Sequence, residues 1–196
     1  MGRTTLVVAP LLVLLVVAGA TGARLLLAEP ERADASGAVT CWDGSSASRV
    51  ADCSRPRGLA GLAWVFPSAD LDDPACRGGE RRGGARWRCT LTVGGTPVEV
   101  VYAGARDARS TLRRVERTYA GGDRAAARAA DGTVNRWVWR LAEPDATGSW
   151  VVTSVYRQHP WSVTVAAGTR RARDLALRTL VEQRDAAEVR GAPAAG

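Results

Sequence analysis

The chain has 196 residues, of which 46% are hydrophobic and 24% are charged. This composition is typical of a globular protein, and it excludes a wholly disordered or collagen-like chain. The formal net charge is +7. A modest positive charge favours anionic partners but does not identify one.

Arginine supplies all 27 basic residues, and Asn135 is the only asparagine. We interpret this pairing as the coding bias of a GC-rich bacterium, in which codons that begin with AA are avoided. The alternative interpretation is that arginine was selected for binding. In either case the guanidinium groups are well suited to contacts with carboxylates and phosphates.

Residues 1–28 are predicted to be a transmembrane anchor or a signal peptide. The run Thr4–Ala23 contains no charged residue and has an arginine on each side. As a helix it would span about 30 Å, the thickness of a hydrocarbon core. A signal peptide would be cleaved at the small residues Ala18–Ala20, whereas the further apolar residues Leu25–Leu27 favour an uncleaved anchor. Both interpretations export the rest of the chain.

The remaining sequence divides into three parts. Residues 29–38 are small, polar and acidic, and they are predicted to form a tether between the membrane and a domain. Residues 39–184 are predicted to be that domain, on the extracytoplasmic side of the cell membrane. Residues 185–196 are predicted to be a disordered tail.

The four cysteines, Cys41, Cys53, Cys76 and Cys89, indicate two disulfides, because an even number in an exported domain is typical of a disulfide framework. Three pairings are compatible with the sequence. We predict that neighbours pair, Cys41 with Cys53 and Cys76 with Cys89, because this pairing closes two short loops. A zinc site is disfavoured because no Cys-x-x-Cys spacing is present and His159 is the only histidine.

The first half of the domain contains a short strand candidate at Val39–Trp42. The apolar run Leu59–Phe66 suits either a buried strand or a helix, and periodicity does not decide between them. Arg86–Val93 and Val98–Ala103 flank a Gly-Gly-Thr-Pro sequence, which predicts a β-hairpin.

The second half begins with a helix from the N-cap candidate Asp107 to Tyr119, which has one apolar stripe. Residues Asp123–Ala130, rich in alanine, are a candidate short helix. Three strands and a final helix follow, and the short connections predict an antiparallel meander. Their predicted bounds are Val134–Ala142, Ser149–Arg157, Trp161–Ala167 and, for the helix, Thr169–Gln183.

This order of elements predicts an α+β fold. We expect a two-layer sandwich in which an antiparallel sheet of about five strands buries one face under both helices. The order resembles that of the Mog1/PsbP-like sandwiches. The resemblance concerns the fold alone and implies no function.

Signs of catalysis are few in this sequence. It has no Gly-x-Ser-x-Gly elbow, no Ser-x-x-Lys, no phosphate loop and no dinucleotide fingerprint. His159 lies in a predicted turn, where a lone histidine is usually a hydrogen-bonded surface residue. The acidic run Asp70–Asp73 lacks the spacing of an EF-hand, and we interpret it as a solvated turn. No metal and no cofactor are therefore predicted.

The candidate binding residues lie between Cys76 and Cys89, in a segment rich in glycine and arginine that contains one acid, Glu80. We expect this segment to be a flexible loop that binds an anionic partner. It is similar to short Arg-Gly-Gly segments, which bind nucleic acid by charge and stacking, although nucleic acid is not the partner we favour. The alternative is a solvated connector without a function. The candidate residues are Arg77, Arg81, Arg82, Arg86 and Arg88.

Seven tryptophans outnumber all the other aromatic residues. Exposed tryptophans line sugar sites, but those at alternating strand positions more often form a core, and we expect about three quarters of them to do so. Together these patterns predict a non-catalytic, membrane-anchored binding module of a bacterial cell envelope, with a partner protein or an anionic envelope polymer as its ligand. The alternatives are a secreted enzyme or enzyme accessory acting on cell-wall glycans, and a purely structural scaffold.

Overall fold

The computed structural model of the chain describes residues 38–82, 84–129 and 131–193, apart from the side chain of Arg81. The predicted transmembrane segment (1–28) and almost all of the predicted tether (29–38) lie outside these residues. Within the part of the chain that is described, no helix is long and apolar enough to cross a membrane.

The described residues form a sheet-rich α+β fold, as the sequence predicts. Single-turn 3-10 helices occur at Val50–Asp52 and Ala186–Glu188. The helices are α1 (Gly58–Val65), α2 (Ala108–Thr118) and α3 (Arg170–Thr179). The strands are β1 (Val39–Cys41), β2 (Ser46–Ala47), β3 (Cys76–Arg81), β4 (Gly84–Val93), β5 (Thr96–Gly104), β6 (Asp123–Arg128), β7 (Val134–Arg140), β8 (Trp150–Tyr156), β9 (Trp161–Ala167) and β10 (Gly191–Pro193).

The main sheet has seven antiparallel strands in the order β3-β4-β5-β9-β8-β7-β6. The predicted number of about five was too small, because both edge strands were missed. β3 lies in the glycine-rich segment that we expected to be a loop. β6 lies in the alanine-rich segment that we expected to be a helix, and its pairing with β7 outweighs the helical propensity of alanine.

The helices lie on both faces of this sheet, so the predicted two-layer arrangement was wrong. α1 and α3 pack on the face that includes Val152, through a core that contains Leu62 and Ala176. α2 packs on the opposite face, where Val115 contacts the cluster around Val151. Side chains alternate between the faces of a strand, and β8 is apolar at successive positions. Such a strand requires cover on both sides.

The larger core lies under α1 and α3 and joins the two halves of the domain. The ring of Phe66, which follows α1, lies 5.2 Å from the ring of Tyr102 on β5 and 6.3 Å from that of Tyr156 on β8. The apolar run Leu59–Phe66, which periodicity left undecided, is therefore mostly a helix. α3 ends at Thr179 instead of Gln183, and the chain beyond it bonds to the α1 region through the contact of Arg184 N with Val65 O, 3.0 Å.

A small second sheet, in the order β10-β1-β2, joins the two ends of the described region. Residues 185–193, part of the predicted disordered tail, therefore include a 3-10 turn and a strand paired with β1. The tail was mispredicted because its partner strand lies about 150 residues away along the chain. The predicted disulfide pairing is confirmed, since Cys41 bonds to Cys53 and Cys76 bonds to Cys89.

Candidate functional site

The arginine-rich segment is a β-hairpin of β3 and β4, and not the flexible loop that we expected. Cys76 and Cys89 lie directly opposite each other in its ladder and are joined by a disulfide. Gly78 lies opposite Trp87, and a Cβ added at Gly78 would come within 2.9 Å of the Trp87 Cα. At this position glycine allows β3 and β4 to pack closely, so its presence does not make the segment flexible.

Three of the five candidate arginines lie on one face of this hairpin. Arg77 is directly opposite Arg88, and Arg86 lies two residues along the same strand, so their side chains share a face. Arg82 is exposed in the turn. Arg81 ends β3 opposite Gly84, and its side chain is not among those described. We call the side formed by Arg77, Arg86 and Arg88 the arginine face.

Little negative charge balances this face. Arg88 donates from Nη1 to Glu99 Oε2 at 2.8 Å, but within the described region Arg77 and Arg86 have no ion pair. The only acid of the segment, Glu80, is turned to the other face, where its Oε1 accepts from the backbone N–H of Leu59 at the start of α1, 3.0 Å. Like charges directly opposite each other are destabilising, so an anion between Arg77 and Arg88 would be stabilising.

The arginine face continues into a groove of about 590 Å³ beside α2, and Arg86 lines both. Arg114 of α2 lines the other side of this groove. Arg114 is not among the residues predicted from the sequence, because its position in the groove depends on the face of the sheet that α2 covers. No local pattern carries that information.

A second cavity, of about 520 Å³, lies at the end of the sheet and is lined by Arg55, Arg57, Arg106 and His159 among others. The Nε2 atom of His159 lies 3.1 Å from the carbonyl oxygen of Ala186. Burial lowers the pKa of His159 below its usual value, and the charges of Arg190 and Arg55 lower it further. A neutral, hydrogen-bonded histidine of this kind holds the C-terminal segment in place.

The carboxylate in the end cavity and those of the acidic run Asp70–Asp73 accept hydrogen bonds from the backbone. Asp107 is the N-cap of α2, as predicted, and its Oδ1 accepts from Ser110 N at 2.7 Å. Hydrogen bonds from Ser110 hold the pKa of Asp107 below its usual value. Asp70 and Asp73 accept backbone N–H bonds from Asp72 and Ala75, 2.9 and 2.8 Å, as turn residues do. In the described ranges there is no group of three or more residues suited to hold a metal ion.

Trp87, Trp139 and Trp161 are buried in the core, and the half-buried Trp64 and Trp137 pack against it, so five of the seven tryptophans contribute to the core. Three of the half-buried ones each have a guanidinium carbon over the ring. The distances to the ring centroid are 3.8 Å for Arg184 over Trp64, 4.5 Å for Arg124 over Trp137 and 4.1 Å for Arg170 over Trp150. These stacked arginines cover ring faces that a sugar would need.

Comparison with known proteins places this chain in no family. No family model, no curated protein and no solved structure matches it.

Proposed function

We propose that this chain is a membrane-anchored, extracytoplasmic binding module of a bacterial cell envelope, and that it binds an anionic envelope polymer through the arginine face. The observation that carries the proposal is the set of three arginines, Arg77, Arg86 and Arg88, on one face of a disulfide-braced hairpin with Glu99 as their only ion-pair partner among the described residues. Same-face positions on a strand are about 7 Å apart. Arg86 and Arg88 have this spacing, and Arg77 lies across the ladder from Arg88. A cluster of cations that extends in both directions suits a chain of repeated anionic groups better than a single small anion.

The proposed location depends on two observations. The uncharged run Thr4–Ala23 has the length of a membrane span, and both disulfides are of a kind that persists in oxidising compartments. Together they favour a domain held on the outer side of the cell membrane.

Two observations disfavour the alternative of a glycan-acting enzyme. A glycosidase requires two carboxyl groups that flank the scissile bond, one of them with a raised pKa. Asp107 in the end cavity has a lowered pKa and is bonded to the start of α2. In addition, Trp64, Trp137 and Trp150 stack against arginines and do not form an open aromatic platform.

The proposal is tested by retention of the full-length chain, in neutral detergent, on immobilised polyphosphate and polygalacturonate. We expect retention that weakens steeply as salt rises, because each arginine–anion contact releases a counterion. The triple variant Arg77→Gln, Arg86→Gln, Arg88→Gln should elute at a clearly lower salt concentration than the wild type.

The matched control is the triple variant Arg109→Gln, Arg113→Gln, Arg117→Gln, which removes the same charge from exposed positions of α2. It should elute close to the wild type. Equal loss of retention in both variants would mean that only net charge matters. Either that result or retention insensitive to salt in the wild type would overturn the proposal.

A further inference from the structure

The groove beside α2 forms because α2 covers only part of its face of the sheet. α2 packs over β8 and β9, and the face of β4 and β5 beside it carries no helix in the described part of the chain. The side chains at its base are small, including Ala103 on β5 and Ser162 on β9. The result is an open channel that continues from the arginine face.

The groove carries positive charge without any matching acid. Arg86 lines it from β4 and Arg114 lines it from α2. Neither arginine has an ion pair with a described residue, and none of the described residues that line the groove is an aspartate or a glutamate. Two arginines without an ion pair among the described residues therefore line the same groove, one from β4 and one from α2.

The base of the groove is rich in hydroxyl groups. The hydroxyl oxygens of Tyr119 and Thr153 are 2.5 Å apart, and those of Thr153 and Thr164 are 2.8 Å apart. Three hydroxyls carry three protons, and these two bonds use two of them, so one O–H of the three is not used by either bond. Burial raises the pKa of Tyr119, so the phenol keeps its proton. Thr118 and Ser162 add two more hydroxyls to the lining.

We infer that this groove binds the phosphate groups of a polyol phosphate polymer, in which phosphodiesters join units that carry free hydroxyls. This inference rests on the proposed function and names the class of polymer. Donors approach from three directions, β4, α2 and the base, and a tetrahedral phosphate presents oxygens in several directions. A carboxylate presents two coplanar oxygens, which a single guanidinium can satisfy.

The neighbouring hydroxyls explain why the units should be polyols. Serine and threonine hydroxyls both donate and accept hydrogen bonds, so they pair with the hydroxyls of a polyol. The apolar side chains of Val101 and Val115 also line the groove, and they suit the C–H groups of the same chain.

The test compares three polymers at equal charge concentration, with the full-length chain in neutral detergent. Poly(glycerol phosphate) has phosphates and hydroxyls, polyphosphate lacks hydroxyls, and polygalacturonate has hydroxyls but carries carboxylates. We expect the wild type to bind poly(glycerol phosphate) at least tenfold more tightly than either of the others. Arg114→Gln should reduce this preference at least fivefold, whereas Arg109→Gln, on the exposed side of the same helix, should leave it unchanged.

Thr164→Val, nearly isosteric, and Ser162→Ala remove hydroxyls from the base and should reduce the preference over polyphosphate. Far-UV circular dichroism and thermal unfolding check that each variant is folded. If Thr164→Val does not fold, Ser162→Ala alone tests the role of the hydroxyls. Equal binding of all three polymers, or an unchanged preference in Arg114→Gln, would overturn this inference and leave the proposed function standing. Absence of salt-sensitive binding to every polymer would overturn both.

Discussion

Gly78 on β3 lies directly opposite Trp87 on β4, and the backbone of β4 together with the indole occupies the space that a side chain at Gly78 would need. A Cβ at Gly78 would clash with the carbonyl oxygen of Arg86 and would come within 2.9 Å of Trp87 Cε3. Trp87 itself is buried, and its Nε1 donates to the carbonyl oxygen of Asp70, 3.0 Å. The hairpin that carries the arginine face is therefore tied to the core at this pair of residues.

The first prediction concerns this pair. Gly78→Ala should destabilise the domain by about 2 kcal/mol or more, because backbone atoms of β4 must move to admit the methyl group. Gly79→Ala is the matched control, since a Cβ at Gly79 meets nothing within 4 Å. It should change stability by at most about 0.5 kcal/mol. Urea unfolding of both variants measures the difference, and equal stabilities would contradict the packing that we describe.

The second prediction concerns the disulfide that joins the two strands of the hairpin. The double variant Cys76→Ser, Cys89→Ser should lose about 3 kcal/mol of unfolding free energy, because the bond restricts the unfolded chain. Its loop spans 13 residues and that of Cys41–Cys53 spans 12, so the corresponding variant of the second bond should lose a similar amount. Denaturant unfolding without reductant tests both, and no loss in either variant would contradict the pairing.

The third prediction concerns the pH dependence of stability. The pKa of His159 is lowered in the folded domain, chiefly by burial, from an unfolded value of 6.5. The unfolded chain therefore binds more protons as the pH falls below about 6.5, and the folded domain loses stability over that range.

The aspartates with lowered pKa, such as Asp107 and Asp145, act only at much lower pH, below about 4. His159 is the only histidine. Replacing it with glutamine should therefore flatten the stability profile between about pH 5 and 7. Thermal unfolding across this range is the measurement, and an unchanged slope in the variant would contradict the assignment.

The fourth prediction concerns the membrane anchor. The intact chain should sediment with membranes and resist extraction by high salt, because an apolar span is held by the hydrocarbon core and not by charge. Treatment with neutral detergent should release it. A soluble fragment that begins near Thr21 in the medium would contradict the anchor and support a cleaved signal peptide instead.

Local sequence patterns were sufficient for several parts of this structure. Short apolar segments separated by short connections located β7, β8 and β9 to within two residues, and Asp107 marked the start of α2 as an N-cap. The cysteine pairing followed from short loops, because neighbours in the chain are easily brought together. These features depend on residues that are close in sequence, so the sequence contains the information needed to find them.

Other features depended on contacts that an element makes with its neighbours in the fold. The alanine-rich β6 has no strand pattern of its own and becomes a strand only by pairing with β7. The apolar stripe of α2 does not specify which face of a sheet it will cover, and β8, apolar on both faces, accepts a helix on either side. Two tertiary contacts determine which helix covers which face: Tyr119, at the end of α2, bonds to Thr153 on one face, and Ala176 of α3 packs into the core on the other.

The candidate site shows the same division between local and tertiary information. The arginines between Cys76 and Cys89 were evident as a cluster of charge, but their strand register decides that Arg77, Arg86 and Arg88 share a face while Glu80 points away. Arg114 comes from α2, whereas the hydroxyls of Thr153 and Thr164 come from the neighbouring strands β8 and β9, more than 30 residues further along the chain. Only the folding of these elements around one channel brings them together, because side-chain orientation in a sheet is set by pairing with its neighbours.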